Sequence, residues 1–353
     1  MSIKVAMIGA GSVGFTRRLT QDILAVPELR DTTFAYMDLS EHNLEMVAQL
    51  SRRDIEKNSL SARIYTTTDR REALEGADYV VSMIRQGGLD AFQLDIDIPL
   101  KYGVDQCVGD TICAGGIMYG QRTIPALLDI CSDIREVSNP DALFLNYSNP
   151  MAMNTWACNL YGGVRTIGLC HGVQGGHKQI ANAIEHWARR EGLIAAEEKV
   201  TPADVDIVAA GINHQTWYVK VQWRGMDMLP RLLELFEAHP VYQNQEKVRI
   251  DVLRRFGYYS TESNGHLSEY LPWYRKRIDE IGDWIDLSHW IHGETGGYLR
   301  ICTEGRNWFE TDFPNWLQQE PPVISQENRS HEHGSFIIEA LETGRVYRGH
   351  FNV

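Results

Sequence analysis

Residues 3–14 read Ile-Lys-Val-Ala-Met-Ile-Gly-Ala-Gly-Ser-Val-Gly, and this stretch decides the fold. A short apolar run, Val5 to Ile8, feeds Gly9-x-Gly11-x-x-Gly14, and a helix-like segment follows from Phe15 to Leu24. Gly9 permits a tight strand-to-helix turn, and Gly11 has no side chain to block a pyrophosphate. Gly14 lets the helix pack close to the strand, with free backbone N–H groups aimed at the phosphates. Gly9, Gly11, Ser12, Val13 and Gly14 are therefore the expected cofactor-binding turn. A second apolar run, Thr33 to Met37, ends in Asp38, placed to accept the adenosine ribose hydroxyls. An acid there repels a 2′-phosphate, so NAD is expected rather than NADP.

The pattern continues outward from this unit. Strands are expected at 3–8, 33–37, 62–66, 78–84, 142–146 and 165–169, with helices at 15–25, 41–57, 70–75 and 121–137. Such alternation predicts an α/β fold with a Rossmann-like, doubly wound parallel sheet and ligands at the carboxyl ends of its strands. Three polar or glycine-bearing segments follow those ends: Arg85 to Gly88, Asn146 to Pro150, and Cys170 to Gly172. Beyond about residue 175 the rhythm changes to a helix near 176–191, strands around 204–210 and 216–223, and amphipathic helices. This divides the chain into an NAD-binding domain, 1–175, and a second domain, 176–353, for substrate and metal. Trp284, Trp290, Trp308 and Trp316 give the later part the composition of a pocket-forming domain. The last residues, Arg345 to Val353, read as a strand cut short, so the chain is expected to continue.

Composition narrows the function classes. A net charge of −13 argues against nucleic acid or an anionic membrane surface as the main partner. No run approaches membrane-spanning length, and the first residues open a strand rather than a signal peptide. Six cysteines without a CxxC pair read as reduced thiols, which points to the cytoplasm.

Cys170-His171 stands after one expected strand, and Gly211-Ile-Asn-His214 after another. A thiolate and an imidazole there could converge on one divalent metal and leave positions open for substrate oxygens; a buried thiol and a hydrogen-bonded core histidine are the alternative.

Gly9-Ala-Gly-Ser-Val-Gly14, Gly109-Asp-Thr111 with Gly115-Gly116, Arg122-Thr-Ile-Pro125, Asn146 to Met153, Cys170-His-Gly172 and Gly211-Ile-Asn-His214 occur in this order. Together they resemble the NAD- and manganese-dependent glycosidases of glycoside hydrolase family 4, the α-galactosidase branch in particular. The resemblance implies a dinucleotide-binding domain joined to a mixed α/β catalytic domain, and a homodimer or homotetramer. It implies NAD and Mn2+ as cofactors and hydrolysis of a small, non-phosphorylated α-glycoside. The implied route oxidises the sugar at C3, which acidifies the C2 proton; elimination, water addition and hydride return complete it.

The resemblance assigns Cys170 and His214 as metal ligands, Asn149 as a substrate-binding amide and His171 as the general acid. An imidazole suits the acid role because its ordinary pKa is about 6.5. Three residues stand for the base, Tyr270, His266 and Glu262, with Tyr270 first because a phenolate beside a cation can take a proton. Asp110-Thr111 and Gly115-Gly116 are expected to form a loop near the nicotinamide or substrate. Arg85 is placed to read a substrate carboxylate, though a cofactor phosphate or a surface ion pair would also occupy it. Cys-His-Gly is similar to α-uronidases, so α-glucuronidase or α-galacturonidase activity is the first alternative. A 2-hydroxyacid dehydrogenase and a non-catalytic NAD-binding sensor are the others.

Overall fold

The computed structural model describes residues 2–287, 293–305 and 311–353; Trp290 and Trp308 lie outside them. The chain forms two compact units. Residues 1–88, 120–170 and 303–353 make the first, and residues 89–119 and 171–302 the second.

The first unit is built on six parallel strands: β1 (Lys4–Ile8), β2 (Thr33–Met37), β3 (Arg63–Thr67), β4 (Tyr79–Ser82), β5 (Leu143–Asn146) and β6 (Thr166–Gly168). Their order is 3-2-1-4-5-6, the arrangement of dinucleotide-binding sheets. Alternate residues of these strands feed two apolar layers. Val5, Met7, Phe34, Tyr36 and Leu145 pack with Leu19 and Ile23 of α1 (Val13–Leu24), Val47 of α2 (Glu41–Lys57) and Ile338. Ala6, Ile8, Ala35, Val80 and Phe144 face the other way, toward Leu127, Ile130 and Ile134 of the helix Ala114–Val137. Burial on both faces explains why β1, β2, β4 and β5 read as nearly continuous apolar runs.

Two expectations need correction. Arg345 to Val353 is not a strand: β6 is only three residues long, and the chain end meets it through one antiparallel bridge, Gly168 to Asn352. The helix expected over 121–137 starts earlier, at Ala114, so Gly115 and Gly116 are helical and not part of a loop.

In the second unit β7 (Val205–Ile212) and β8 (Gln215–Trp223) form an antiparallel hairpin that continues to β9 (Met226–Asp227). Trp223, Tyr218 and Val221 pack on the helix Gly172–Arg190 through Ile180, Ile184 and Trp187. Among the described residues no helix is long and apolar enough to cross a membrane.

Candidate active site

Because the six strands are parallel, their carboxyl ends share one edge of the sheet. Gly9 to Gly14 follow β1, Asp38 follows β2, Arg85 follows β4, Asn149 follows β5 and Cys170 follows β6. Gly9 adopts φ +90°, open only to glycine without strain, and its N–H and that of Ala10 donate to Met37 O at 2.9 Å. Asp38 sits against this turn, where Oδ2 accepts from Gly11 N–H at 2.8 Å and Oδ1 from Ser40 N–H at 2.9 Å. A Cβ at Gly11 would lie 2.7 Å from that Oδ2. Ser12 makes no side-chain cap on α1, so its first N–H groups have no side-chain acceptor from that residue. Asn149 precedes Pro150 through a cis bond and is half-buried, as are Arg85 and Cys170.

The second unit holds a tighter cluster. His214 occupies the turn between β7 and β8 with φ +63°, a left-handed conformation uncommon outside glycine. Glu262, His266, Glu269 and Tyr270 lie on or just before the helix Asn264–Tyr270. Asp110 and Thr111 come from the irregular segment before Ala114. The ligand atoms of Asp110, His214 and His266, all buried, lie within 4.8 Å of one another. The two imidazole rings are 4.5 Å apart at 68°. Glu262 lies between them, Oε1 3.2 Å from His266 Nδ1 and Oε2 3.6 Å from His214 Nε2. Tyr270 Oη is 3.4 Å from His214 Nδ1. His266 Nε2 is buried without a hydrogen bond among the described residues, 3.4 Å from Glu269 Oε1.

Electrostatics separates two of the three base candidates, Glu262 and Tyr270. Burial would raise the Glu262 carboxyl, but the two imidazoles beside it, the hydrogen bond to His266 and the N–H of Ser263 together outweigh it and hold it at about 2. Tyr270 moves the other way: desolvation of its hydroxyl, then the charges of Glu269 and Glu262, push it well above the ordinary 10. A Tyr270 phenolate therefore requires a compensating cation beside it.

The sequence reading gave no role to Glu269, which holds the Asp110 segment in place. Its side chain is fully enclosed and accepts the N–H groups of Cys107 and Val108 at 2.8 Å and of Gly109 at 3.1 Å. Arg275 adds a buried ion pair to Asp105 at 2.6 Å. Close approach also explains the glycine pair: a Cβ at Gly116 would lie 2.1 Å from Thr111 O, and one at Gly115 2.5 Å from Gly109 O. The spacing of His266 and Glu269 carried the missed signal, since i and i+3 share one helix face. His171 is exposed and begins the second unit at the start of its helix.

A carboxylate and two imidazoles with one orphaned nitrogen form a donor set for a divalent transition metal. The pattern of the family 4 glycosyl hydrolases matches residues 4–186, and that of the C-terminal domain of the same family matches residues 209–353. The chain belongs to glycosyl hydrolase family 4. It is 62% identical over 353 residues to an α-galactosidase of Rhizobium meliloti, covering 100% of this chain and 69% of that one. A solved candidate glucosidase from Bacillus subtilis is 28% identical with a TM-score of 0.78, covering 96% of this chain and 76% of that one. A 6-phospho-β-glucosidase of Thermotoga maritima, solved with manganese, NAD+ and glucose-6-phosphate, shares the fold. Its TM-score is 0.69 at 21% identity, over 97% of this chain and 73% of that one. As a family 4 member the protein is a glycoside hydrolase, which sets the 2-hydroxyacid dehydrogenase reading aside.

Proposed function

We propose that this protein is an α-galactosidase that hydrolyses neutral, non-phosphorylated α-galactosides with the help of NAD and a divalent metal such as manganese. The observation that carries this reading is the 62% identity, over the whole of this chain, to an α-galactosidase. The residues fit both groups. The glycine turn leaves no room for a side chain at Gly11 and sets a carboxylate beside it, as a ribose needs. The buried Asp110, His214 and His266 offer donors to a cation, and His266 Nε2 has no other hydrogen-bonding partner among the described residues.

When bound, NAD would accept and return a hydride at the sugar, and the cation would supply positive charge for sugar oxygens as they turn negative. The chain's own residues would do the rest. The first N–H groups of α1 would hold the dinucleotide phosphates, and Asp38 would orient the adenosine ribose. Asp110, His214 and His266 would hold the cation; Cys170 is the thiolate that the family resemblance assigns to a metal. Tyr270 would take the C2 proton as a phenolate, Glu262 staying ionised between the two imidazoles. His171 would protonate the leaving group. Asn149 would bind sugar hydroxyls, and Arg85 would bind a cofactor phosphate or the sugar. The same reading carries a cytoplasmic homodimer or homotetramer, which analytical ultracentrifugation checks.

The experiment is a panel of 4-nitrophenyl α-galactoside, α-glucoside and α-galacturonide with NAD, Mn2+ and a reducing agent. Galactoside turnover without net NADH supports the reading. Selective uronide turnover would move the protein to the uronidase alternative, and no turnover on any glycoside to the sensor.

A further inference from the structure

Thr111 joins the two best-placed metal donors. Its Oγ1 donates to Asp110 Oδ1 at 2.9 Å and lies 2.9 Å from His214 Nδ1. A threonine hydroxyl has one proton, and an ionised carboxylate only accepts. The proton committed to Asp110 leaves Oγ1 as an acceptor toward the imidazole, so Nδ1 must carry the hydrogen. In a neutral imidazole the other nitrogen then keeps its lone pair. Two other groups face the ring at longer range: Tyr270 Oη lies 3.4 Å from Nδ1, against 2.9 Å for Thr111 Oγ1, and Glu262 Oε2 lies 3.6 Å from Nε2, beyond hydrogen-bond range.

We propose that Thr111 is a positioning residue that fixes His214 as its Nδ1–H tautomer and thereby presents Nε2 to a divalent cation. The segment is built to hold it there. Thr111 is fully buried, its backbone is pressed on by Gly116, and Glu269 ties the three residues before Asp110. Asp110 Oδ2 is not used by the Thr111 bond. One hydroxyl thus orders both an imidazole and a carboxylate of the donor set. Partners of this kind typically change metal affinity 10–100-fold.

The proposal rests on the metal reading of this cluster, and its test separates the two. Nitrogen-15 NMR of the histidine-labelled, metal-free protein reports the His214 tautomer directly, with His214→Gln identifying the signal. Mn2+ affinity is measured in parallel by electron paramagnetic resonance, without NAD or sugar, for wild type, Thr111→Val and Thr111→Ser. The expected result is an Nδ1–H tautomer in wild type, a 10–100-fold weaker Mn2+ affinity in Thr111→Val, and Ser within about threefold of wild type. An Nε2–H tautomer in wild type overturns the proposal whether or not the variants fold. Equal Mn2+ affinity in Val and wild type overturns it as well. If wild type shows the Nδ1–H tautomer but binds no Mn2+, the tautomer assignment stands and the metal reading fails.

Discussion

Removing the Glu269 carboxylate should loosen the segment that carries Asp110 and Thr111. The side chain is 0% exposed and accepts from three consecutive backbone N–H groups, two at 2.8 Å and one at 3.1 Å. Glu269→Ala encloses those donors without a partner. At roughly 1–2 kcal/mol for each buried N–H, the loss is about 3–6 kcal/mol, reduced by whatever water enters the vacated space. Glu269→Gln keeps the shape and one oxygen. Placed where Oε2 now lies, that oxygen retains Cys107, Val108 and the longer 3.2 Å bond from Gly109, while the amide nitrogen takes the place of Oε1, which Gly109 N–H now meets at 3.1 Å. The expected loss is about 1–3 kcal/mol, mostly from the missing charge. Urea unfolding gives the ranking, and hydrogen exchange of a peptide spanning 105–113 localises it. In Glu269→Ala those amides should lose protection before the rest of the second unit. Stability within about 0.5 kcal/mol of wild type, with the amides still protected, would refute the clamp.

Other outcomes follow from the two units separately. Gly11→Ala places a Cβ 2.7 Å from Asp38 Oδ2, so the acid must turn away and NAD affinity should fall at least ~tenfold by calorimetry. Unchanged NAD affinity would mean that this turn does not meet the cofactor. Tyr270 should stay protonated in chelated protein to beyond pH 10, because desolvation and the charges of Glu269 and Glu262 oppose the phenolate. An ultraviolet difference titration against Tyr270→Phe checks this, and a Tyr270 phenolate below pH 9 without metal would contradict it. Cys170→Ser should retain NAD binding and lose nearly all turnover, with full activity after chelation as the contrary result.

Local chemistry made much of this legible in advance. The Gly9–Gly14 turn and Asp38 could be read because each demand is met within a few residues: a positive φ at Gly9, a close approach at Gly11 and an acid at a strand end. The run 33–37 is β2, and 41–57 is α2 behind its cap Ser40. What escaped depended on contacts distant in sequence. Gly115 and Gly116 looked like loop residues, but they are helical glycines that let the 109–111 backbone lie against them. Arg345 to Val353 alternates like a strand, yet whether it pairs depends on the length of the edge it meets. Glu269 is 160 residues from Gly109, so its role as an acceptor cannot be seen until the fold brings the two together. Asp110 belongs to a motif visible in the sequence, but its partnership with His214 and His266 is a product of the hairpin and helix around it.

The most direct measurement is hydrolysis of 4-nitrophenyl α-galactoside in deuterated water, with NAD and Mn2+ present, followed by NMR of the released galactose. Redox-assisted elimination requires deuterium at C2, an absolute need for NAD and no accumulation of NADH. Galactose unlabelled at C2, released at full rate after NAD has been removed, would show direct displacement at C1 and contradict the proposed function.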